Sequence, residues 1–214
     1  MITCSCPGAT ALTPIPAQNC AVDFGQIQKV IFQRLRAADG TANTIAAADV
    51  AKKTAWTALL AATDGTKITM SPYIGSPAED GGDAITYGSG NDVPNGIPIV
   101  IGSNPVNFTG QVRQADQTTV IAAMEDLICE AQGNNLGVWL VNQNGQIEGI
   151  KNADGSFSPR PIQAFFVGEK RHGGLQEPDN NPISWSWVTG YGKMVAIITP
   201  EEGFNPLTDL IPAE

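Results

Sequence analysis

Four carboxylates lie among glycines in the segment from Ala78 to Pro98, which reads AEDGGDAITYGSGNDVPNGIP. They are Glu79, Asp80, Asp83 and Asp92, and the one aromatic residue among them is Tyr87. Paired carboxylates can hydrolyse glycosides, and oxygen ligands of this kind also suit calcium. In glycine-rich loops such side chains are usually solvated, so residue type alone predicts no catalytic pair.

The middle of this segment also raises the question of an ion or a phosphate. Gly88-Ser89-Gly90-Asn91-Asp92 has the composition of one turn of the repeat that binds calcium in parallel β-rolls. Such turns share each ion between successive copies, and here there is one copy. We therefore predict no metal site, with Asp83 and Asp92 as the remaining calcium candidates. The Gly-Lys-Ser/Thr ending of a phosphate loop is also missing.

Nucleophilic catalysis needs a base, and the sequence has one histidine, His172. It follows Lys170 and Arg171 and precedes two glycines, a setting that predicts an exposed loop. The cysteines do not form paired metal-ligand motifs, and we expect free thiols. They are Cys4, Cys6, Cys20 and Cys129. These observations predict a protein that is not an enzyme, with no catalytic residues and no cofactor.

The charge balance bears on the partners of the chain. There are 12 basic and 21 acidic residues, which gives a formal net charge of −9. No basic stripe could neutralise phosphates along a duplex, so we expect no sequence-specific binding of nucleic acid. The first 20 residues have neither a basic start nor a continuous apolar run. We therefore expect a soluble protein that is made inside a cell and has no membrane anchor.

The elements that would position these residues are mostly strands. Apolar residues at helical spacing predict one helix around Trp56 and a second over residues 118–131, with Asp116 as its N-cap and Gly133 as its end. Asn144-Gly145 predicts a hairpin. Alternating Trp185 and Trp187 predict a half-buried strand. The run KVIFQ fits either a helix or a strand.

The fold class predicted is mainly β with one or two helices, an α+β protein. We expect an antiparallel sheet that forms a β-sandwich or barrel, flanked by a helix, with an extended N-terminal arm and long loops. The predicted divisions of this single domain are an arm and helix over residues 1–66, a β-rich core over 67–200 with an insertion loop at 78–98, and a C-terminal tail over 201–214.

This succession of elements resembles the tail tube proteins of long-tailed bacteriophages. The resemblance rests on helix 118–131, the Asn144-Gly145 hairpin and closing strands at 162–169, 183–189 and 193–199. It implies a virion protein assembled in the host cytoplasm. It further implies stacked, hexameric rings whose sheets join edge to edge around an acidic lumen, through which DNA passes without sequence-specific binding. The partners would be copies of itself and other virion proteins.

Two alternatives stay open at this point. One is another virion component, such as a tail terminator, a baseplate protein or a capsid decoration protein. The other is a β-sandwich module that binds carbohydrate or calcium. For assembly, long turn-rich loops predict contacts with neighbouring subunits. The predicted interface residues are Glu79, Asp80, Asp83, Tyr87, Asp92, Arg171, His172 and Glu177.

Overall fold

The computed structural model describes residue 15 and residues 23–88, 90–93 and 96–211. Strands and helices follow in the order β1 (Ile27–Arg34), α1 (Lys53–Ala61), β2 (Ile68–Met70), β3 (Ile74–Gly81), β4 (Ala84–Tyr87), β5 (Ile99–Ser103), β6 (Val106–Arg113), α2 (Ala122–Gln132), β7 (Leu136–Asn142), β8 (Ile147–Lys151), β9 (Phe157–Ser158), β10 (Arg160–Val167), β11 (Asn180–Trp187), β12 (Val195–Ile198) and α3 (Pro206–Asp209). The predicted mainly β, α+β class with an antiparallel sheet is confirmed.

The chain divides into two compact units. The smaller contains Gly81–Pro105, and the larger contains Phe24–Asp80 and the chain from Val106 onward. In the smaller unit β4 and β5 pair as a separate two-stranded sheet, whereas the remaining strands form one ten-stranded sheet. The divisions predicted at residues 66 and 200 stay predictions.

Strand β7 is the centre of the large sheet because it pairs with three other strands. One edge pairs with β1 along its length. The opposite edge pairs with β10 at Gly137 and Val138 and with β8 at Leu140 and Val141. One edge thus serves two partners, and the sheet continues as β10-β11-β6-β3 on one path and β8-β12 on the other.

Two hydrophobic cores lie on opposite faces of β1 and β7. Phe32 and Val138 belong to one core, while Ile31 and Trp139 belong to the other. Because side chains alternate along a strand and both faces are covered, every residue of β7 is buried. Helix α2 contributes to the first core, and α1 and α3 contribute to the second.

The tryptophans lie in these cores, as the alternation and helical spacing predict. Trp185 and Trp187 are 1% and 2% exposed. The ring of Trp185 stacks on Phe108 at a centroid distance of 3.9 Å. Trp56 is fully buried and packs edge to face against Trp139. Trp185 and Trp187 are therefore packing residues, and neither presents a ring on which a sugar could stack.

Local turn and cap signals are confirmed. The Asp116 carboxylate accepts hydrogen bonds from the N–H groups of Thr118 and Thr119, both at 2.9 Å, and caps a π-helical segment, Gln117–Ile121, that leads into α2. Helix α2 ends at Gly133. The Asn144-Gly145 turn joins β7 to β8, with Gly145 at a φ of 77°. The ambiguous run KVIFQ is part of β1.

Strands β2 and β3 lie on either side of Ser71, whose Oγ accepts a hydrogen bond from the Val30 N–H. The predicted C-terminal tail contains α3, and its Leu210 is fully buried. Cys4, Cys6, Cys20 and most of the predicted arm lie outside the described residues.

Candidate functional site

The most unusual surface of the chain is the hairpin formed by β4 and β5. The segment 78–98, predicted as a loop, is more regular than expected: residues 78–81 complete β3, and β4 pairs with β5. Both hairpin strands have large apolar side chains in contact with solvent. They are Ile85 (41% exposed), Tyr87 (55%), Ile99 (54%), Val100 (56%) and Ile101 (52%).

The pairing register assigns these side chains to faces of the hairpin. Tyr87 lies opposite Ile99, and Thr86 lies opposite Val100. Since alternate residues of a strand share a face, Ile85 lies on the same face as Tyr87 and Ile99. We call these three residues the apolar hairpin face. Soluble monomers seldom expose contiguous apolar patches of large size, and such patches commonly mark interaction sites.

Carboxylates stand near both ends of the hairpin. Asp83 immediately precedes β4, and its backbone carbonyl accepts a hydrogen bond of 2.8 Å from the Asn104 N–H. Asp92 ends a short 3-10 turn, Gly90–Asp92, in the connection to β5. The sequence from Gly81 to Pro105 contains no Lys, Arg or His. The predicted interface residues Asp83, Tyr87 and Asp92 therefore share one acidic and apolar hairpin.

The glycine-rich connection has a packing explanation. Gly88 has a φ of 83°, and a Cβ added there would lie 2.2 Å from Val93 Cγ1. Val93 is buried, so its side chain packs where only a glycine fits. Across the described residues, no group of three His, Cys, Asp or Glu side chains is placed to hold a metal ion. The described structure thus adds no further ligand to the calcium candidates Asp83 and Asp92.

A second surface lies on the exposed side of β6, β11 and β10. The register aligns Thr109, Ser184 and Phe166 in one cross-strand row. A second row at the end of these strands contains Arg113, Asn180 and Arg171. We call the surface that carries these two rows the outer sheet face. Its opposite side is the core side, where Phe108, Trp185 and Phe165 are buried.

The outer sheet face has one large apolar side chain and two free cations. Phe166 is 55% exposed. Arg113 and Arg171 are exposed, and neither forms an ion pair with the described residues. Adjoining depressions cover this face and its border with β3, and they share Ser76. A Cβ on Gly168 would lie 2.5 Å from the Pro182 ring, so only a glycine allows the ring to pack there between the two rows.

The loop between β10 and β11 contains the other predicted interface residues. His172 is confirmed as exposed, and its Nδ1 lies 3.1 Å from Asp179 Oδ2, which also pairs with Lys170 at 3.3 Å. Desolvation opposes the charge on Asp179, yet hydrogen bonds from His172, Gly173 and Lys170 lower its pKa. Glu177 lines the depression beside Arg113. This loop therefore borders the outer sheet face.

Glu79 takes part in a third cluster, which the sequence did not predict. Its carboxylate accepts a hydrogen bond of 2.9 Å from Trp187 Nε1. The guanidinium of Arg160 lies 3.8 Å from the Trp187 ring centroid and 3.6 Å from a Glu148 oxygen. Burial raises the pKa of Glu148, the Arg160 charge lowers it, and Glu79 adds to the increase; the net direction is upward. These contacts hold β3, β8, β10 and β11 together.

Sequence reasoning missed the outer sheet face. Phe166 lay in a predicted strand, but only a β-bulge, with Ala164 at a φ of 53°, places Phe165 inward and Phe166 outward. No local sequence pattern predicts such a bulge. Asp80 lies exposed on β3. None of the helices in the described part of the chain is long and apolar enough to cross a membrane.

Comparisons with known proteins add little to this geometry. No protein-family model matches the chain, and no curated protein sequence matches it. Among solved structures, a chain of the 6-fold symmetrised cryo-EM structure of the anti-feeding prophage (AFP) baseplate is similar, with a TM-score of 0.34 and 8% sequence identity. The match covers 86% of this chain and 98% of that one. A TM-score this low carries no argument about function.

Proposed function

We propose that this chain is a structural subunit of a phage-type particle, and that it acts by assembling with copies of itself rather than by catalysis. The observation that carries the proposal is the apolar hairpin face, Ile85, Tyr87 and Ile99. A two-stranded sheet alone is only marginally stable in water. Full burial of a large apolar side chain contributes about 1.5–3 kcal/mol, and these three are 41–55% exposed, so docking against a neighbour adds about half of that for each. Association therefore stabilises both the hairpin and the complex.

The more specific form of the proposal is a tail tube. It is based on the order of strands, helix and hairpin in which the sequence resembles tail tube proteins. In this form the subunits make stacked, hexameric rings that conduct DNA within a virion assembled in the host cytoplasm. The net charge of −9 suits a conduit that must not hold DNA. The partners are then the chain itself and other virion proteins, without a cofactor.

Light scattering after size-exclusion chromatography, followed by negative-stain microscopy, tests the proposal. We expect oligomers whose size grows with protein concentration, and images with a hollow centre if the assembly is a tube. Ile99→Ser should shift the wild-type oligomer toward monomer. Ile211→Ser is the matched control, because Ile211 is 61% exposed and lies outside the hairpin. A wild-type chain that stays monomeric at every concentration would contradict self-assembly.

The images also separate the alternatives within the same class. A tail tube gives stacked rings of repeating height, a terminator gives single rings, and a capsid decoration protein gives small closed oligomers. Assembly without a hollow centre would support self-association and would contradict the tail-tube form of the proposal.

A further inference from the structure

We infer that the apolar hairpin face of one copy docks on the outer sheet face of a second copy. This inference rests on the proposed self-assembly and names the two surfaces that meet. The first argument is charge complementarity. The sequence from Gly81 to Pro105 has carboxylates and no cation, whereas the outer sheet face ends in two arginines that form no ion pair with any described residue.

The spacing of the charges supports this pairing. Arg171 and Arg113 lie one on each side of Asn180 in a cross-strand row, so their backbones are roughly 10 Å apart, two strand spacings. Asp83 and Tyr87 lie at the two ends of β4 and are separated by about 13 Å of extended chain. Arg113 lies four residues beyond Thr109 on β6, so the arginine row is also about 13 Å from the row that contains Phe166. A hairpin carboxylate can therefore reach the arginine row while Tyr87 and Ile99 lie over Phe166.

The shape of the outer sheet face suits a second sheet. Around Phe166 its side chains are small or neutral, namely Thr109, Ser184, Pro182 and Gln111. Gly168 has no side chain, and the Pro182 ring packs closely against it. Two sheets pack face to face about 10 Å apart when their side chains interdigitate. One exposed aromatic among small residues allows three large hairpin side chains to pack around it.

The geometry also predicts the symmetry of the contact. The apolar hairpin face, which we call the donor surface, and the outer sheet face, which we call the acceptor surface, are different parts of the chain. Each copy can therefore dock its hairpin on one neighbour and bind the hairpin of another. Such a heterologous contact propagates head to tail and produces a ring when the rotation closes, or a filament when it does not. Only a reciprocal exchange, in which two copies each dock a hairpin on the other, would end at a two-fold dimer.

Complementary variants test the pairing in the full-length chain. The donor variant carries Ile85→Ser and Ile99→Ser, and the acceptor variant carries Phe166→Ser and Arg171→Glu. Each alone should assemble with an apparent dissociation constant at least about ten-fold above that of wild type, because central aromatic and apolar contacts dominate interfaces. Mixed in equal amounts, they should form heterodimers that grow no further, since each pair keeps one intact hairpin and one intact face.

Sedimentation velocity on the mixture, with one variant fluorescently labelled, measures this outcome. Lys151→Glu is the control for the charge change, because Lys151 is exposed on β8 and outside the outer sheet face. The substituted apolar residues are at least 41% exposed, and the substituted charged residues form no ion pair within the described chain. Thermal unfolding checks that each variant folds. A charge exchange tests the same contact independently. We expect Arg171→Glu alone to weaken assembly about three-fold, and Arg171→Glu combined with Asp83→Lys to restore assembly to the wild-type strength.

The possible outcomes are distinct. If the acceptor variant assembles like wild type while the donor variant does not, the hairpin docks elsewhere and the inference is wrong, although the proposed function stands. If the mixture forms no heterodimer, the inference is likewise overturned. If wild type alone is monomeric and binds only a different protein, both the inference and self-assembly fail.

Discussion

At Glu148, burial and charge act in opposite directions on one carboxyl group. Its side chain is 14% exposed, and Arg160, its partner at 3.6 Å, is 15% exposed. A buried ion pair of this kind gives little net stability, because desolvation offsets the attraction between the charges. The main effect of the cluster is to fix the positions of its side chains. It holds Glu79 of β3 against Trp187 of β11.

The raised pKa of Glu148 predicts a pH dependence of stability. A carboxyl that binds its proton more tightly in the folded state contributes stability that is complete below its ordinary pKa of 4.5 and is lost as the pH rises through the raised value. We therefore expect Glu148→Gln to flatten the decline in the free energy of unfolding above that pH. Urea unfolding followed by tryptophan fluorescence at a series of pH values measures the slope.

A carboxyl whose pKa is lowered acts in a different pH range. The pKa of Asp116, for example, is lowered from 3.8 by hydrogen bonds from the Thr118 and Thr119 side chains and N–H groups, so its contribution is lost only in more acidic solution. Glu202→Gln, at an exposed position, is the control for removing one charge. Identical slopes for wild type and Glu148→Gln above the ordinary glutamate pKa would show that Glu148 does not titrate as inferred.

Residues whose roles are local could be predicted, and residues whose roles depend on distant chain could not. Asp116 caps a helix that begins at the next residue, and Asn144-Gly145 turns the chain between adjacent strands. Glu79, in contrast, meets Trp187 across 108 residues. A sequence shows that a carboxylate sits near a glycine, but it does not show which indole will fold against it.

At the scale of elements, the capped start of α2 offers a clean measurement. Asp116→Ala removes two backbone hydrogen bonds of 2.9 Å from the first turn. We expect a loss of about 1 kcal/mol in the free energy of unfolding, the usual effect of losing such a cap. Urea unfolding at neutral pH measures it.

Two matched variants show whether the cap is the cause. Asp116→Asn keeps an accepting side-chain oxygen and should retain most of the stability. Asp126→Ala removes an exposed carboxylate from the body of α2 and should change stability little. Equal losses for Asp116→Ala and Asp126→Ala would indicate an effect of charge on the helix rather than of capping.

The elements themselves were predictable where one residue pattern decided them. Alternation predicted the strand that contains Trp185 and Trp187, and helical spacing predicted the helices around Trp56 and after Asp116. The Asn144-Gly145 turn predicted the pairing of β7 with β8, but the pairing of the same edge with β10 was not predictable, because no short turn joins β7 to β10. Helix α3 was missed because four residues are too few for a periodic signal, and its stability comes from burial of Leu210.

At the scale of the whole molecule, the hydrophobic cores and the hairpin proposed to dock on a neighbour are separate parts of the chain. Both hydrophobic cores are built from residues outside Gly81–Pro105. The hairpin within that range instead exposes its apolar residues. A chain divided in this way can fold with its own cores while the exposed hairpin is left for a neighbour.

Excision of the hairpin tests this division. Strands β3 and β6 are neighbours in the sheet, so replacing residues 82–104 with a turn of about four residues can connect them. We expect the excised chain to unfold cooperatively near the wild-type temperature and to stay monomeric, because the cores persist and the docking element is gone. If the excised chain assembles like wild type, the assembly contact must lie on a surface other than the hairpin. If the excised chain fails to fold, residues 82–104 are needed for folding of the larger unit. The thermal unfolding measurement distinguishes that result from a loss of assembly alone.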